Sequence, residues 1–234
     1  VKFEALYQLW LLIDEPFGAC LGFVIVVCLI RQNIWAWPLG IVYVAASISV
    51  LLEARLYANL ILHVVAFLPM NVYGWYYWLF GKEKDQEQLQ VTRASWRLLA
   101  VVITICLAGT AALGTMFAVM TDAALPYWDN GLFVGSVVTM WLTARKKIEN
   151  WIFWFVIDVV SVGVYWTQGL TLYAALYFVY LGMAVAGWLS WKASLELVSA
   201  VHIGKRRVQT SAFAESADEA KRTSAGGSNS VSHL

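Results

Sequence analysis

Charge is scarce in this chain: Asp, Glu, Lys and Arg make up 13% of its 234 residues, against about 25% in an ordinary soluble domain. That shortage excludes a cytosolic enzyme and a disordered regulator. A net charge of +1 leaves no electrostatic footprint for nucleic acid, so no such partner is expected. Cysteine is also sparse. Cys20, Cys28 and Cys106 lie in apolar runs with no CxxC pair, which argues against a disulfide scaffold and reads as small buried packing residues. Of the three histidines only His63 falls in a hydrophobic segment, either as a proton or ligand site or as a bundle-facing hydrogen-bonding group. No Walker loop, HExxH or GxSxG occurs, so neither an ATP-driven pump nor an enzyme is expected, and no cofactor or metal.

Apolar and aromatic residues are plentiful. The chain is 61% hydrophobic with 13 Trp, 11 Tyr and 11 Phe, and its mean hydropathy is +0.67. A chain this apolar needs a lipid bilayer as its solvent. A spanning helix takes about 20 mostly apolar residues, and the breaks leave seven candidates: Phe17 to Ile30, Trp35 to Leu52, Leu56 to Phe80, Trp96 to Met120, Tyr127 to Ala144, Trp151 to Trp166 and Leu170 to Trp191. The expected fold class is an all-α integral membrane protein with seven transmembrane helices. Seven helices invite comparison with retinal proteins, but the last segment has no lysine for a Schiff base.

Residues 1–15 read as an interfacial N-terminal segment, with Phe3 to Ile13 amphipathic. No basic n-region or small-residue cleavage site marks a signal peptide, and Val1 in place of Met suggests a trimmed start. The other expected divisions are a three-helix repeat over 16–80, a cytoplasmic loop and linker helix over 81–122, a second three-helix repeat over 123–192, and a cytoplasmic tail over 193–234. The tail is rich in Ser, Ala and Gly and is expected to be largely disordered from about residue 205. Arg31, the basic residues between Lys82 and Arg97, Arg145, Lys146, Lys147 and Lys192 fall on one side of the membrane, and only Lys2 and Arg55 on the other. Cytoplasmic loops hold the excess of Lys and Arg, which places the N-terminus outside and the C-terminus inside.

The chain also repeats. Trp35 to Ser47 matches Trp151 to Gly163 at a shift of 116 residues, and Gly74-Trp75-Tyr76-Tyr77-Trp78 matches Gly187-Trp188-Leu189-Ser190-Trp191 at a shift of 113. Three helices, one connector and three more give a 3+1+3 arrangement of parallel repeats, as in small transporters whose substrate site lies between the repeats. Trp78 and Trp191, next to Lys82 and Lys192, read as interfacial belt residues.

The polar residues in the sixth segment point to chemistry. Trp151, Trp154, Asp158, Ser161 and Tyr165 step by three and four residues and so share one helix face. A carboxylate near mid-bilayer costs at least ~2.5 kcal/mol and should face the bundle interior. Two indoles, a carboxylate, a hydroxyl and a phenol suit a polar, planar solute, and a helix-packing stripe is the competing reading. The third segment adds Asn59, His63 and Asn71 around Pro69, where a broken backbone bond frees polar groups. In the seventh, Tyr173, Tyr177 and Tyr180 repeat at helical spacing, and Tyr127, Trp128 and Asp129 open the fifth.

Pro126-Tyr127-Trp128-Asp129, Ala144-Arg145-Lys146-Lys147, Glu149-Asn150-Trp151 with Trp154, Asp158 and Ser161, and the two GWxxW closures together resemble the PnuC family of vitamin transporters, from about Phe17 to Lys192. The resemblance implies a fold like that of a full-length SWEET sugar transporter, a homotrimer in the bacterial inner membrane, and facilitated diffusion of nicotinamide riboside by alternating access. It implies trapping of the riboside by a cytoplasmic nucleoside kinase, which feeds NAD synthesis. Asn150, Trp151, Trp154, Asp158, Trp75 and Trp188 are the site candidates carried over from the family motif. Asn71 joins them for its polarity at a helix break, and Ser161 and Tyr177 as neighbouring walls. A thiamine or riboflavin carrier of the same fold, or a seven-helix sensor that binds without moving its ligand, is the alternative.

Overall fold

The computed structural model describes residues 17–53, 60, 61, 63–82, 88–121 and 125–226. The expected interfacial stretch Phe3 to Ile13 and Asn59 lie outside them. Among the described residues seven α-helices form: α1 (Phe17–Ile30), α2 (Ala36–Glu53), α3 (Leu68–Phe80), α4 (Trp96–Met120), α5 (Pro126–Ala144), α6 (Asn150–Thr167) and α7 (Thr171–Gly226). By length and apolar character Trp96–Met120, Asn150–Thr167 and Thr171–Val201 can cross a membrane, while Phe17–Ile30 and Ala36–Ile48 are shorter apolar helices.

Proline sets several boundaries. Pro38 and Pro126 fall in the first turn of a helix, where the missing N–H has no intrahelical acceptor to lose. Ahead of Pro69 the chain makes one π-helical turn, His63–Phe67, so the break expected at this proline is present as a change of helix type. The α4 start is capped by Ser95, whose hydroxyl accepts from the Leu98 N–H at 3.3 Å.

Helix α4 packs on α5, α5 on α6 and α3, and α2 on α3. Contacts group residues 1–192 and 193–234 into two compact units. Helix α7 continues to Gly226, where composition predicted disorder from about residue 205. The stretch from Ala193 has no proline and many alanines, and alanine favours helix even without an apolar core.

Two loop closures match each other at a spacing other than the 116 residues expected from the sequence. After α1, Gln32 N–H reaches Leu29 O and Asn33 N–H reaches Cys28 O; after α5, Lys146 N–H reaches Thr143 O and Lys147 N–H reaches Leu142 O. Gln32 (φ 55°) and Lys146 (φ 47°) are both left-handed, as residues that end a helix in a Schellman turn are. These positions, and the following bonds Ala36 N–H to Asn33 O and Asn150 N–H to Lys147 O, lie 114 residues apart. Trp37, rather than Trp35, therefore corresponds to Trp151. The sequence offered tryptophan at both 35 and 37, and only the packing distinguishes them: Trp35 is 62% exposed and Trp37 is 3%.

Candidate solute-binding cavity

The basic loops converge at one end of the bundle, called here the joint end. Trp78 at the close of α3 donates its indole N–H to Ala144 O at the end of α5, and Trp191 on α7 donates to Leu29 O near the end of α1, each at 3.0 Å. Ser190 adds a bond to Ile30 O at 3.0 Å. Two glycines make room for this packing. A methyl group on Gly74 would overlap the Trp37 ring, and one on Gly187 the Trp151 ring. Trp37 then meets Trp78 edge-on, as Trp151 meets Trp191, both pairs at 5.5 Å. The belt role expected of Trp78 and Trp191 is therefore corrected: at 7% and 0% exposure they are packed between helices. An indole beside a lysine reads as interfacial from sequence, but here glycine four residues earlier lets the backbone approach and buries the ring.

Residues 88–95 strap onto the joint. Thr92 pairs with the chain after α5 through Thr92 N–H to Lys146 O and Ile148 N–H to Thr92 O, both 3.0 Å. Glu149, buried, accepts the Ala94 N–H at 2.8 Å. Lys146 is buried at the centre, its Nζ donating to Gln32 Oε1 at 3.1 Å and Leu89 O at 2.9 Å and lying 4.4 Å from the Trp78 ring centre. Burial pushes its ammonium down to about 8 from the usual lysine value. Trp37 Nε1, Trp151 Nε1 and Asn150 Oδ1 are buried in this layer with no hydrogen-bond partner among the described residues.

Away from the joint lies a cavity of about 510 Å³ bounded by the π turn, α4, α5, α6 and α7. Trp154 lines it nearest the joint, with its indole N–H 3.3 Å from Thr143 Oγ1. Ile157, Ser161 and Tyr165 continue that wall along α6, and Tyr177 faces them from α7. Tyr165 stacks on Tyr177 at 5.3 Å and on Tyr173 at 5.5 Å. Thr121, Pro126 and Asp129 lie at the opposite end, where α4 turns into α5, and His63 and Phe67 bring the π turn to the same cavity.

The structure divides the expected site. Trp154, Ser161 and Tyr177 line the cavity together. Asp158, on the same helix as Trp154 and Ser161, is buried and does not line the cavity. Asn150 and Trp151 belong to the joint, where Asn150 Nδ2 donates to Lys147 O at 2.6 Å. Asn71 is buried against Gly40 and donates to Phe67 O at 2.9 Å. Trp75 is exposed and Trp188 half-buried, and neither lines the cavity. Cys20, expected to be buried, is exposed, with Cys28 and Cys106 intermediate. A second wall was not foreseen: Asn130, Phe133 and Ser136 join Asp129 on α5. The spacing of Pro126, Asp129, Asn130, Phe133 and Ser136 marks one helix face, the signal that could have found it.

A family model described as "Nicotinamide mononucleotide transporter" matches residues 13–193. The nicotinamide riboside transporter PnuC of Escherichia coli (strain K12) is 28% identical over 201 residues, spanning 76% of this chain and 84% of the relative. The riboflavin/roseoflavin transporter RibM of Streptomyces davaonensis is 26% identical over 184 residues, with the same coverage of 76% and 84%. A crystal structure of the vitamin B3 transporter PnuC superposes with a TM-score of 0.59 at 20% identity, covering 84% of this chain and 93% of that one; at that identity the likeness concerns the fold.

Proposed function

The chain belongs to the nicotinamide mononucleotide transporter family, a multi-pass membrane protein by its apolar helices, and from that premise we propose that it carries nicotinamide riboside into the cell by facilitated diffusion. The observation that carries this reading is the cavity. Its 510 Å³ falls in the range of small-molecule sites, about 300–1,000 Å³. Aromatic rings, neutral polar groups and the Asp129 carboxylate line it, with no lysine or arginine among the described residues. Indole and phenol faces suit a pyridinium ring, while amides and hydroxyls suit ribose. A phosphate monoester would find no cationic partner there, which favours the riboside over the mononucleotide.

In this reading Trp154, Ser161 and Tyr177 touch the solute. The seven helices span the membrane as SWEET-like 3+1+3 parallel repeats, with the joint end cytoplasmic because the basic loops gather there. The cavity then opens outward and the joint is the closed inner gate. The protein works as a homotrimer in a bacterial inner membrane, and phosphorylation by a nucleoside kinase inside keeps the riboside from leaving and commits it to NAD synthesis. The likeness to a riboflavin carrier supports the second reading, riboflavin on the same fold.

Calorimetric titration of the purified protein with nicotinamide riboside, nicotinamide mononucleotide, riboflavin and thiamine tests both. Binding of the riboside without the mononucleotide, counterflow of labelled riboside in proteoliposomes, and about a tenfold loss of affinity in Trp154→Ala, the scale of one stacked ring, are expected. Binding of riboflavin or thiamine alone would move the assignment to that vitamin. Binding without counterflow would make the protein a sensor, and no binding at all would sink the transport reading.

A further inference from the structure

Asp129 has a place in the cavity that the binding of a ring and a ribose does not account for. Among the described residues lining it, Asp129 is the only carboxylate, and no lysine or arginine lines it to neutralise that charge. Asp129 lies in the first turn of α5, on the face that brings Asn130, Phe133 and Ser136 to the same space. Its neighbours are tied to the backbone: Asn130 Nδ2 donates to Pro126 O at 2.7 Å, and the Thr121 hydroxyl to Phe117 O at 2.7 Å. Asp129 itself is exposed, so the cavity lining carries a solvated carboxylate with no lysine or arginine beside it and His63 as the other ionisable side chain apart from the tyrosines.

Such an arrangement sorts solutes by charge. An exposed carboxylate in the cavity lining attracts a cation before contact, and the low-polarity aromatic walls around it screen the attraction less than water does. We propose that Asp129 is the residue that selects a positively charged solute over an uncharged one of the same shape. This rests on the nicotinamide riboside reading, in which the solute is a pyridinium cation. Trp154, Tyr165 and Tyr177 supply ring faces that any flat heterocycle can use, whereas the Asp129 carboxylate responds to the sign of the charge. An acidic side chain in the first turn also favours the helix dipole, and that purely structural role is the alternative to be separated.

Oxidised nicotinamide riboside and its dihydro form provide the probe, because hydride addition removes the ring charge while keeping the ribose and the carboxamide. Affinities of the full chain in detergent are compared for both forms. The wild type is expected to favour the cation. In Asp129→Asn the cation should lose about five- to tenfold in affinity with the dihydro form unchanged, and Asp129→Glu should restore the preference. An equal loss for both forms, or no loss for either, would overturn the proposal; the first result would return Asp129 to a helix-start role. If the wild type binds neither form, the riboside reading itself fails and this inference falls with it. Thermal unfolding of both variants near the wild-type midpoint identifies a loss of affinity as one of charge recognition.

Discussion

Lys146 carries its ammonium into the packed joint with the oxygens of Gln32 and Leu89 and the face of Trp78 around it. These contacts offset only part of the lost hydration, and its pKa falls to about 8. An unfolded lysine keeps its proton to about pH 10.4, so between these values the unfolded chain binds more protons than the folded one. Stability therefore rises with pH in that window, and the full penalty of the buried charge is present below it. The unfolding midpoint in detergent should climb from pH 8 to pH 10 in the wild type and climb less in Lys146→Met; parallel curves for the two proteins would show that the buried charge is not the cause. Little of this was legible in Arg145-Lys146-Lys147, where three adjacent cations look alike and read as one solvated loop. Only the left-handed turn at Lys146 directs its side chain inward.

Among the elements, α3 and α7 are matched by the glycines that receive Trp37 and Trp151. Alanine at either site forces an indole out of a packed layer, at a cost of about 1–3 kcal/mol for overpacking. Gly182 is the control: nothing lies within 4 Å of the place a methyl group would take there, so alanine should be neutral or slightly favourable for the helix. Thermal midpoints of Gly74→Ala, Gly187→Ala and Gly182→Ala check this, and equal midpoints for all three would refute the close-approach account. Helix positions were readable from the sequence because apolar runs and charged breaks alternate, and because Pro126 opens a helix; Pro69 reads as a break inside Leu56 to Phe80, whereas α3 begins at Leu68. The α5 wall was harder to see. Asp129, Asn130 and Ser136 dilute the apolar character of that helix, so it reads as a weaker span rather than as a lined face.

At the scale of the whole molecule, the two indole bonds cross between the halves: α3 reaches the end of α5, and α7 reaches the end of α1. Replacing Trp78 and Trp191 by Phe keeps a ring in each place and removes both donors. At about 1 kcal/mol per hydrogen bond, the double variant should open the joint roughly tenfold or more as often. Hydrogen–deuterium exchange of amides in residues 142–151 should quicken accordingly, and unchanged exchange would mean that the rings alone hold the joint. The same layer that carries these bonds leaves Trp37 Nε1, Trp151 Nε1 and Asn150 Oδ1 without partners among the described residues. Each unmade bond raises the shut form by about 1–3 kcal/mol, and each 1.4 kcal/mol is a factor of ten in population. The proposed function is that of a carrier with no fuel, and such a carrier cannot rest in a deep well, because the depth would have to be climbed on every cycle. With those three groups unpaired among the described residues, such a carrier would keep this form shallow, and thermal motion and the solute gradient would set its turnover.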